Sequence, residues 1–83
     1  MCIRDRNNTD YKLTLKSRRG WVFGSLKTPT EVVKVIRGTY DQQSGIVYLV
    51  LENGDILRGF YENSIFKGAL RPTDNSVILL EQR

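Results

Sequence analysis

The chain has 83 residues, of which 40% are hydrophobic and 27% are charged, and its formal net charge is +4. Such a composition is typical of one small globular domain and excludes a disordered or fibrous chain. The sequence has no histidine and one cysteine, Cys2. These counts exclude zinc sites built on Cys and His, catalytic sites that need a histidine, and an intrachain disulfide. No metal or cofactor site is therefore predicted.

The first six residues, MCIRDR, resemble the hexapeptide that translated sequencing adapter leaves at the ends of reading frames called from shotgun assemblies. On this interpretation residues 1–6 are a non-native leader, and residues 7–83 are a single small β-barrel domain whose natural N-terminus lies upstream. The alternative is a genuine short polar leader. No signal peptide or transmembrane segment is visible, since the longest apolar run, Ile46–Leu51, is far shorter than the roughly 20 residues that a membrane-spanning helix needs.

Residues 11–26 have the pattern of a β-hairpin. Residues 11–16 alternate apolar and polar side chains with period two, which predicts a strand whose apolar side chains face inward. Residues 17–20 form a basic turn, and residues 21–26 are predicted to be the returning strand.

Residues 28–38 carry two conflicting signals. The string TPTE at 28–31 has the order of an N-cap, an N1 proline and a capping-box glutamate, and Gly38 stands where such a helix would end. Against a helix, four of the five residues from Val32 to Ile36 are β-branched, and these residues favour strands. A strand is predicted here, with a short helix over residues 29–37 as the alternative.

The second half of the chain continues as strands and turns. Residues 46–51 are all apolar, including those that would point to opposite faces of a strand, which indicates a strand covered on both faces. Asn53-Gly54 predicts a type I′ hairpin turn, which needs positive φ at both central residues. The remaining predicted strands are residues 55–61, 64–70 and 77–80.

The predicted fold class is all-β, a six- to seven-stranded antiparallel meander that closes as a small β-barrel, because closure removes exposed strand edges. Gly24, Gly59 and Gly68 fall inside strands, where glycine is costly unless the strand must bend. Barrel closure demands such bends, often with an aromatic side chain that covers the bare backbone. The phenylalanines near these glycines are Phe23, Phe60 and Phe66.

Catalytic motifs are absent from the sequence. It has no glycine-rich phosphate loop and no GxSxG string. The nearest candidates for a catalytic carboxylate pair are Glu52, Asp55 and Glu62, and all three lie at predicted hairpin turns, where acidic side chains are usually solvated. The chain is therefore predicted not to be an enzyme.

Basic residues are concentrated in the N-terminal half. They alternate there with Tyr11, Trp21 and Phe23, and small barrels bind single-stranded nucleic acid with basic grooves and stacking aromatics. The opposing interpretation places Trp21 and Phe23 in the core, where large aromatic residues stabilise a small domain. The nucleic-acid hypothesis depends on the side chains of Lys12, Lys16, Arg18, Arg19, Lys27 and Lys34.

The sequence resembles two known families over overlapping ranges. Residues 47–59, VYLVLENGDILRG, are similar to the first motif of Sm-like RNA-binding proteins, but FYENSIFKG intervenes where that family has one glycine, so its RNA-contacting residues are not carried over. Over residues 11–83 the early tryptophan and the glycine-punctuated strands resemble the meander barrels of the lipocalin and avidin type. That family encloses small apolar ligands, which implies a pocket lined by Trp21, Tyr48 and Phe60.

The predicted function is a non-enzymatic binding or accessory β-barrel domain that recognises a small apolar ligand or a protein partner. The alternative is a small nucleic-acid-binding barrel that uses its basic N-terminal half. A purely structural domain of a longer protein is a third class that fits the same residues.

Overall fold

The computed structural model describes residues 1–82 as a closed antiparallel barrel, in which each strand pairs with its sequence neighbours and the last strand pairs with the first. These residues contain no helix, and hence none long and apolar enough to cross a membrane. The strands are β1 (Cys2–Arg4), β2 (Asp10–Arg18), β3 (Trp21–Lys27), β4 (Val32–Tyr40), β5 (Ile46–Leu51), β6 (Ile56–Glu62), β7 (Ile65–Arg71) and β8 (Ile78–Gln82).

The prediction of an all-β antiparallel meander that closes as a barrel is confirmed, but the predicted strand number was wrong. The barrel has eight strands, and the unforeseen one is β1, which lies within residues 1–6. Ile3 of β1 pairs with Tyr11 on one side and with Gln82 on the other, and its side chain is fully buried. A three-residue strand is too short to show a period-two pattern. The non-native origin of residues 1–6 stays a prediction.

The alternative of a helix over residues 29–37 was also wrong, because β4 occupies most of that range. The capping chemistry at Thr28 is nevertheless present, since its Oγ1 accepts a hydrogen bond from the N–H of Glu31 at 3.0 Å. The N–H of Thr28 in turn donates to the carbonyl oxygen of Glu31 at 2.8 Å, which closes a tight loop between β3 and β4. The same side chain therefore stabilises a hairpin turn, and the β-branched residues that follow continue as a strand.

Aliphatic side chains and one phenylalanine fill the interior of the barrel. Alternate residues of each strand point inward, and the described residues include no buried polar or charged residue. The buried residues form one contiguous cluster, which makes the interior a packed core along most of its length. Its members are Ile3, Leu13, Val22, Leu26, Val33, Val47, Leu49, Leu51, Leu57, Phe66, Leu70 and Leu80.

Two of the predicted bending glycines lie opposite each other, Gly59 on β6 and Gly68 on β7. The ring of Phe66 covers both of them, because a Cβ added at either glycine would lie 2.9 Å from the Cζ of Phe66. Glycine is therefore required at both positions for this ring to lie against the sheet. Phe66 is the covering aromatic, whereas Phe23 and Phe60 point outward and are exposed.

A tight two-residue turn lies within the predicted turn over residues 17–20, where Arg19 and Gly20 have positive φ of 53° and 84°, but the turn type predicted for residues 53–54 was wrong. Asn53-Gly54 was expected to form a type I′ turn, but of these two residues Gly54 alone has a positive φ, of 91°. Asn63 and Ser64 both have positive φ, of 53° and 65°, and join β6 to β7 through a two-residue loop. This geometry is that of a type I′ turn, formed here without a glycine.

We expect Ser64→Gly to stabilise the barrel by about 1 kcal/mol, because a side chain in the left-handed region costs roughly that amount and glycine relieves it. The measurement is the midpoint of urea unfolding. The comparison variant is Ser44→Gly, in an exposed loop at ordinary φ. There the added freedom of the unfolded chain and the loss of the hydrogen bond from the Ile46 N–H to the Ser44 Oγ should lower the midpoint instead. Equal shifts in both variants would contradict the proposed strain at Ser64.

Candidate functional site

The three aromatic residues that sequence reasoning placed around an internal ligand pocket lie on the outside of the barrel. Their exposed fractions are 49% for Trp21, 40% for Tyr48 and 56% for Phe60. The alternation of side chains along each strand explains their exposure. On β3, β5 and β6 the side chains of Val22, Leu49 and Leu57 point inward, so the three aromatic side chains on the same strands point outward. None of the three aromatics lines the cavity at the open end of the barrel. Their role in ligand binding stays a prediction.

The register of the sheet aligns aromatic and cationic residues in one row across five strands. Arg18 on β2 lies opposite Trp21 on β3, which lies opposite Thr39 on β4. Thr39 lies opposite Tyr48 on β5, which lies opposite Arg58 on β6. Facing residues on adjacent strands have their Cβ atoms about 5 Å apart, so the members of the row are side-by-side neighbours.

Two further exposed aromatics extend the row into a patch. Phe60 is two residues beyond Arg58 on β6, at a diagonal to Tyr48, and Phe23 is two residues beyond Trp21 on β3. We call the surface formed by Trp21, Phe23, Tyr48 and Phe60 the aromatic face. Large exposed apolar patches on small soluble domains usually mark interaction sites. The expectation that Trp21 and Phe23 belong to the core was wrong, since about half of each side chain is exposed.

A cation lies against the tryptophan of this face. The guanidinium carbon of Arg37 is 6.0 Å from the centroid of the Trp21 ring, within the range of a cation–π contact. The pairing of β4 with β5 shifts register between Val35 and Arg37, and such bulges redirect side chains. Arg37 was not among the predicted binding residues, because the position of a bulge is set by pairing with neighbouring strands.

The six predicted nucleic-acid-binding cations are all exposed, and the structure separates them into groups. Lys16, Arg18 and Arg19 lie at the end of β2 beside Phe23 and Trp21. At the opposite end of the same strands, Lys12 faces Lys27, and Lys34 on β4 faces Ser25 of β3. The first group borders the aromatic face, whereas the second lies further along the barrel.

Sequence reasoning missed the cations on the far side of the aromatic face. Arg58 and Lys67 are exposed on β6 and β7, where Lys67 pairs with Phe60. Lys67 also forms a loose ion pair with Glu81, with 3.8 Å between Nζ and Oε1. Once Leu57 and Phe66 are assigned inward, the sequence shows that Arg58 and Lys67 point outward. Their pairing with Tyr48 and Phe60 depends on strand register.

Three of the cations beside the aromatic face, Arg18, Arg37 and Arg58, form no ion pair with a carboxylate of residues 1–82. In residues 1–82 the ion pairs are Arg4 with Asp10 and Lys67 with Glu81, and neither involves Arg18, Arg37 or Arg58. The face is therefore both apolar and positively charged, which is the combination that attracts an aromatic polyanion.

A small apolar cavity opens at one end of the barrel. Its volume is about 220 Å³. Tyr40 and Tyr61 both line it and meet edge to face, with their ring centroids 6.4 Å apart. The residues around the cavity are Met1, Leu15, Lys16, Ser17, Val22, Tyr40, Val47, Tyr61 and Phe66.

No family model, curated protein or solved structure matches this chain. The resemblances to Sm-like proteins and to lipocalin and avidin barrels stay predictions. The aromatic face and the open end of the barrel are the two surfaces of the molecule with the features of a binding site.

Proposed function

We propose that the chain is a non-enzymatic binding module that takes up single-stranded nucleic acid on the aromatic face. The observation that supports this most directly is the row of paired positions in which Arg18 and Arg58 flank Trp21 and Tyr48. Single-strand binders combine stacking aromatics with cations that follow the backbone. This is the alternative function predicted from the sequence, with Arg37 and Arg58 added to the cations at the site and with Lys12, Lys27 and Lys34 lying further along the barrel.

The arrangement offers two separate places for a base to stack. Trp21 and Tyr48 lie on β3 and β5 with β4 between them, so about 10 Å separates their strands. Arg18 and Arg58 stand at the two ends of this interval, where they can contact phosphates on either side of the stacked bases. Arg37 contacts Trp21 and adds a planar cation on which a base can also stack.

The same geometry supports the binding of a small apolar ligand less well than the binding of a nucleic acid. The aromatics expected to surround such a ligand are exposed, and the interior is filled by the core cluster except at one end. A protein partner could also cover an exposed aromatic patch, because such patches are typical of protein interfaces. The uncompensated charge around Trp21 and Tyr48 favours a polyanion over a neutral protein surface.

The test is the binding of fluorescein-labelled dT12, followed by anisotropy at several salt concentrations. With about four phosphates neutralised, affinity should fall about 50-fold between 50 and 200 mM salt. Stacking contributes about 1–3 kcal/mol per base, so Trp21→Ala and Tyr48→Ala should each weaken binding about 5- to 150-fold. Arg58→Ala should reduce the number of counterions released on binding, measured as the slope of log affinity against log salt concentration, by about one.

Two control variants keep the test specific. Leu79→Ala removes an exposed apolar side chain from β8, outside the aromatic face, and Arg6→Ala removes an exposed cation from the turn after β1. Both should bind dT12 as the unchanged chain does. Failure to bind dT12 at 50 mM salt, or binding that Trp21→Ala and Tyr48→Ala leave unchanged, would contradict the proposal.

A further inference from the structure

Hydrogen-bond donors surround Trp21 on the aromatic face. On β2, Arg18 lies directly opposite Trp21, and Lys16 is at the diagonal. On β4, Thr39 lies directly opposite Trp21, and the guanidinium carbon of Arg37 is 6.0 Å from the centroid of the Trp21 ring. Arginine and lysine side chains only donate hydrogen bonds, whereas a threonine hydroxyl can also accept one. A base that stacks on Trp21 therefore has mainly donors around its edge.

Within the part of the chain that the structure describes, the guanidinium of Arg37 forms no ion pair and donates to no acceptor. The carboxylates that follow β4 and β5 are held by backbone groups instead. Oδ1 of Asp41 accepts a hydrogen bond from the N–H of Gln43 at 2.9 Å, at the end of β4. Oε1 of Glu52 accepts one from the N–H of Lys34 at 3.2 Å, at the end of β5. The N–H groups of Arg37 are therefore free to bind a ligand.

Arg37 also leaves room for a base against the indole ring. A stacked base lies about 3.5–4 Å from an aromatic ring, whereas the guanidinium carbon of Arg37 is 6.0 Å from the ring centroid. The bulge in β4 brings this cation to the outer surface, since Ile36 and Arg37 are consecutive residues and both are exposed. A base stacked on Trp21 thus lies within reach of the planar fork of N–H groups that Arg37 carries.

The four bases differ in the acceptors that they offer to such a fork. Guanine has two adjacent acceptors, N7 and O6, which match two parallel N–H groups of a guanidinium. Adenine has its N6 donor beside N7, cytosine has the N4 donor, and thymine has the single acceptor O4 beside its methyl group. For this reason the pairing of a guanidinium with guanine is the most common specific contact between proteins and DNA bases.

We propose that the aromatic face selects guanine at Trp21, with Arg37 donating to N7 and O6 of the base that stacks on the indole ring. This inference rests on the proposed binding of single strands and adds a base preference to it. Arg18 and Arg58 contact phosphates in that proposal, so they supply affinity for any sequence. Arg37 is the residue that determines specificity.

The probe is fluorescein-labelled d(GT)6, compared by anisotropy with the same oligonucleotide containing 7-deazaguanine. This analogue has a C–H in place of N7 and keeps O6 and the stacking surface. Lithium chloride serves as the salt, because lithium does not support guanine quadruplexes. We expect d(GT)6 to bind at least about fivefold more tightly than the 7-deaza form. The inosine oligonucleotide d(IT)6, which keeps N7 and O6, should bind within about twofold of d(GT)6.

Arg37→Ala should bring the affinities for d(GT)6 and its 7-deaza form within about twofold of each other. Arg18→Ala is the matched control, since it removes another exposed cation beside Trp21. It should weaken the binding of both oligonucleotides equally and keep their ratio unchanged. The ratio separates base recognition from the general loss of charge that both variants share.

Two results would overturn guanine selection alone. One is equal binding of d(GT)6 and its 7-deaza form by a chain that binds dT12, and the other is a preference for d(GT)6 that Arg37→Ala leaves unchanged. In both cases the proposed binding of single strands would still hold. A chain that binds none of these oligonucleotides, dT12 included, would overturn both proposals.

Discussion

Ile3→Asp should leave the chain unfolded at 25 °C. Ile3 is 0% exposed, between β2 and β8, and a carboxylate there would lie among aliphatic side chains with no partner. Truncation of a buried isoleucine alone costs about 2–5 kcal/mol, and an unpaired buried charge costs several more. A domain of this size has roughly 4–12 kcal/mol of total stability. The substitution therefore removes most or all of it, and circular dichroism with urea unfolding measures the loss.

The neighbouring residue provides the matched control. Cys2 is exposed on the outer face of the same strand, so Cys2→Asp should change the free energy of unfolding by less than about 1 kcal/mol. Deletion of residues 1–6 should have an effect similar to that of Ile3→Asp, because it removes β1 and opens the barrel between β2 and β8. A shortened chain that still unfolds cooperatively, with an unchanged midpoint, would contradict the role assigned to β1.

Phe66→Ala should destabilise the barrel by about 3–5 kcal/mol, which is the usual cost of truncating a fully buried phenylalanine. The loss should fall at the high end of this range. The ring covers the bare backbone of Gly59 and Gly68, and rigid strands on both sides limit how far the cavity can collapse. The measurement is the free energy of unfolding from urea titrations, with the urea dependence of that free energy unchanged between the variant and the original chain.

Phe60→Ala is the control for this prediction, because Phe60 is six residues away on the paired strand but points outward. It should cost less than about 1 kcal/mol. Gly59→Ala gives an independent measurement, since the new methyl group would collide with the backbone at Lys67 and Gly68 and should cost about 1–3 kcal/mol. A small effect for Phe66→Ala, matching that of Phe60→Ala, would contradict the assignment of Phe66 as the central core residue.

The strands with clear local signals could be predicted from the sequence. The alternation over residues 11–16 and the apolar run over 46–51 correspond to β2 and β5, and the β-branched residues from Val32 identified β4 against a misleading capping motif. Each of these signals is contained in residues that are close together in the sequence. Turn type was harder to predict, because Asn63 and Ser64 adopt positive φ under the constraint of the strands that they join and not from their own preference.

The candidate site was less predictable because it depends on which parity of a strand faces inward. In the string WVFGSL the apolar residues occupy both parities, so Trp21 and Phe23 could equally have been core residues. The pairing of Leu13 with Leu26 resolves this choice, since both residues are buried and thereby send Trp21 outward. The placement of Arg58 in the same row as Trp21 likewise requires the register of four strands, which local sequence patterns do not contain.

The junction of β1 with β8 has a consequence for the order of folding. Within residues 1–82 it pairs the first strand with the last, through Ile3 with Gln82 and Arg4 with Glu81, whereas the other strand pairs are hairpin neighbours. Loop-closure entropy opposes contacts between distant residues, so the hairpins from β2 to β8 should form before the ends meet. The barrel then passes through an open, curled sheet late in folding, and interactions that form after the transition state govern mainly the unfolding rate. The lifetime of the closed barrel is therefore set at the junction of its first and last strands.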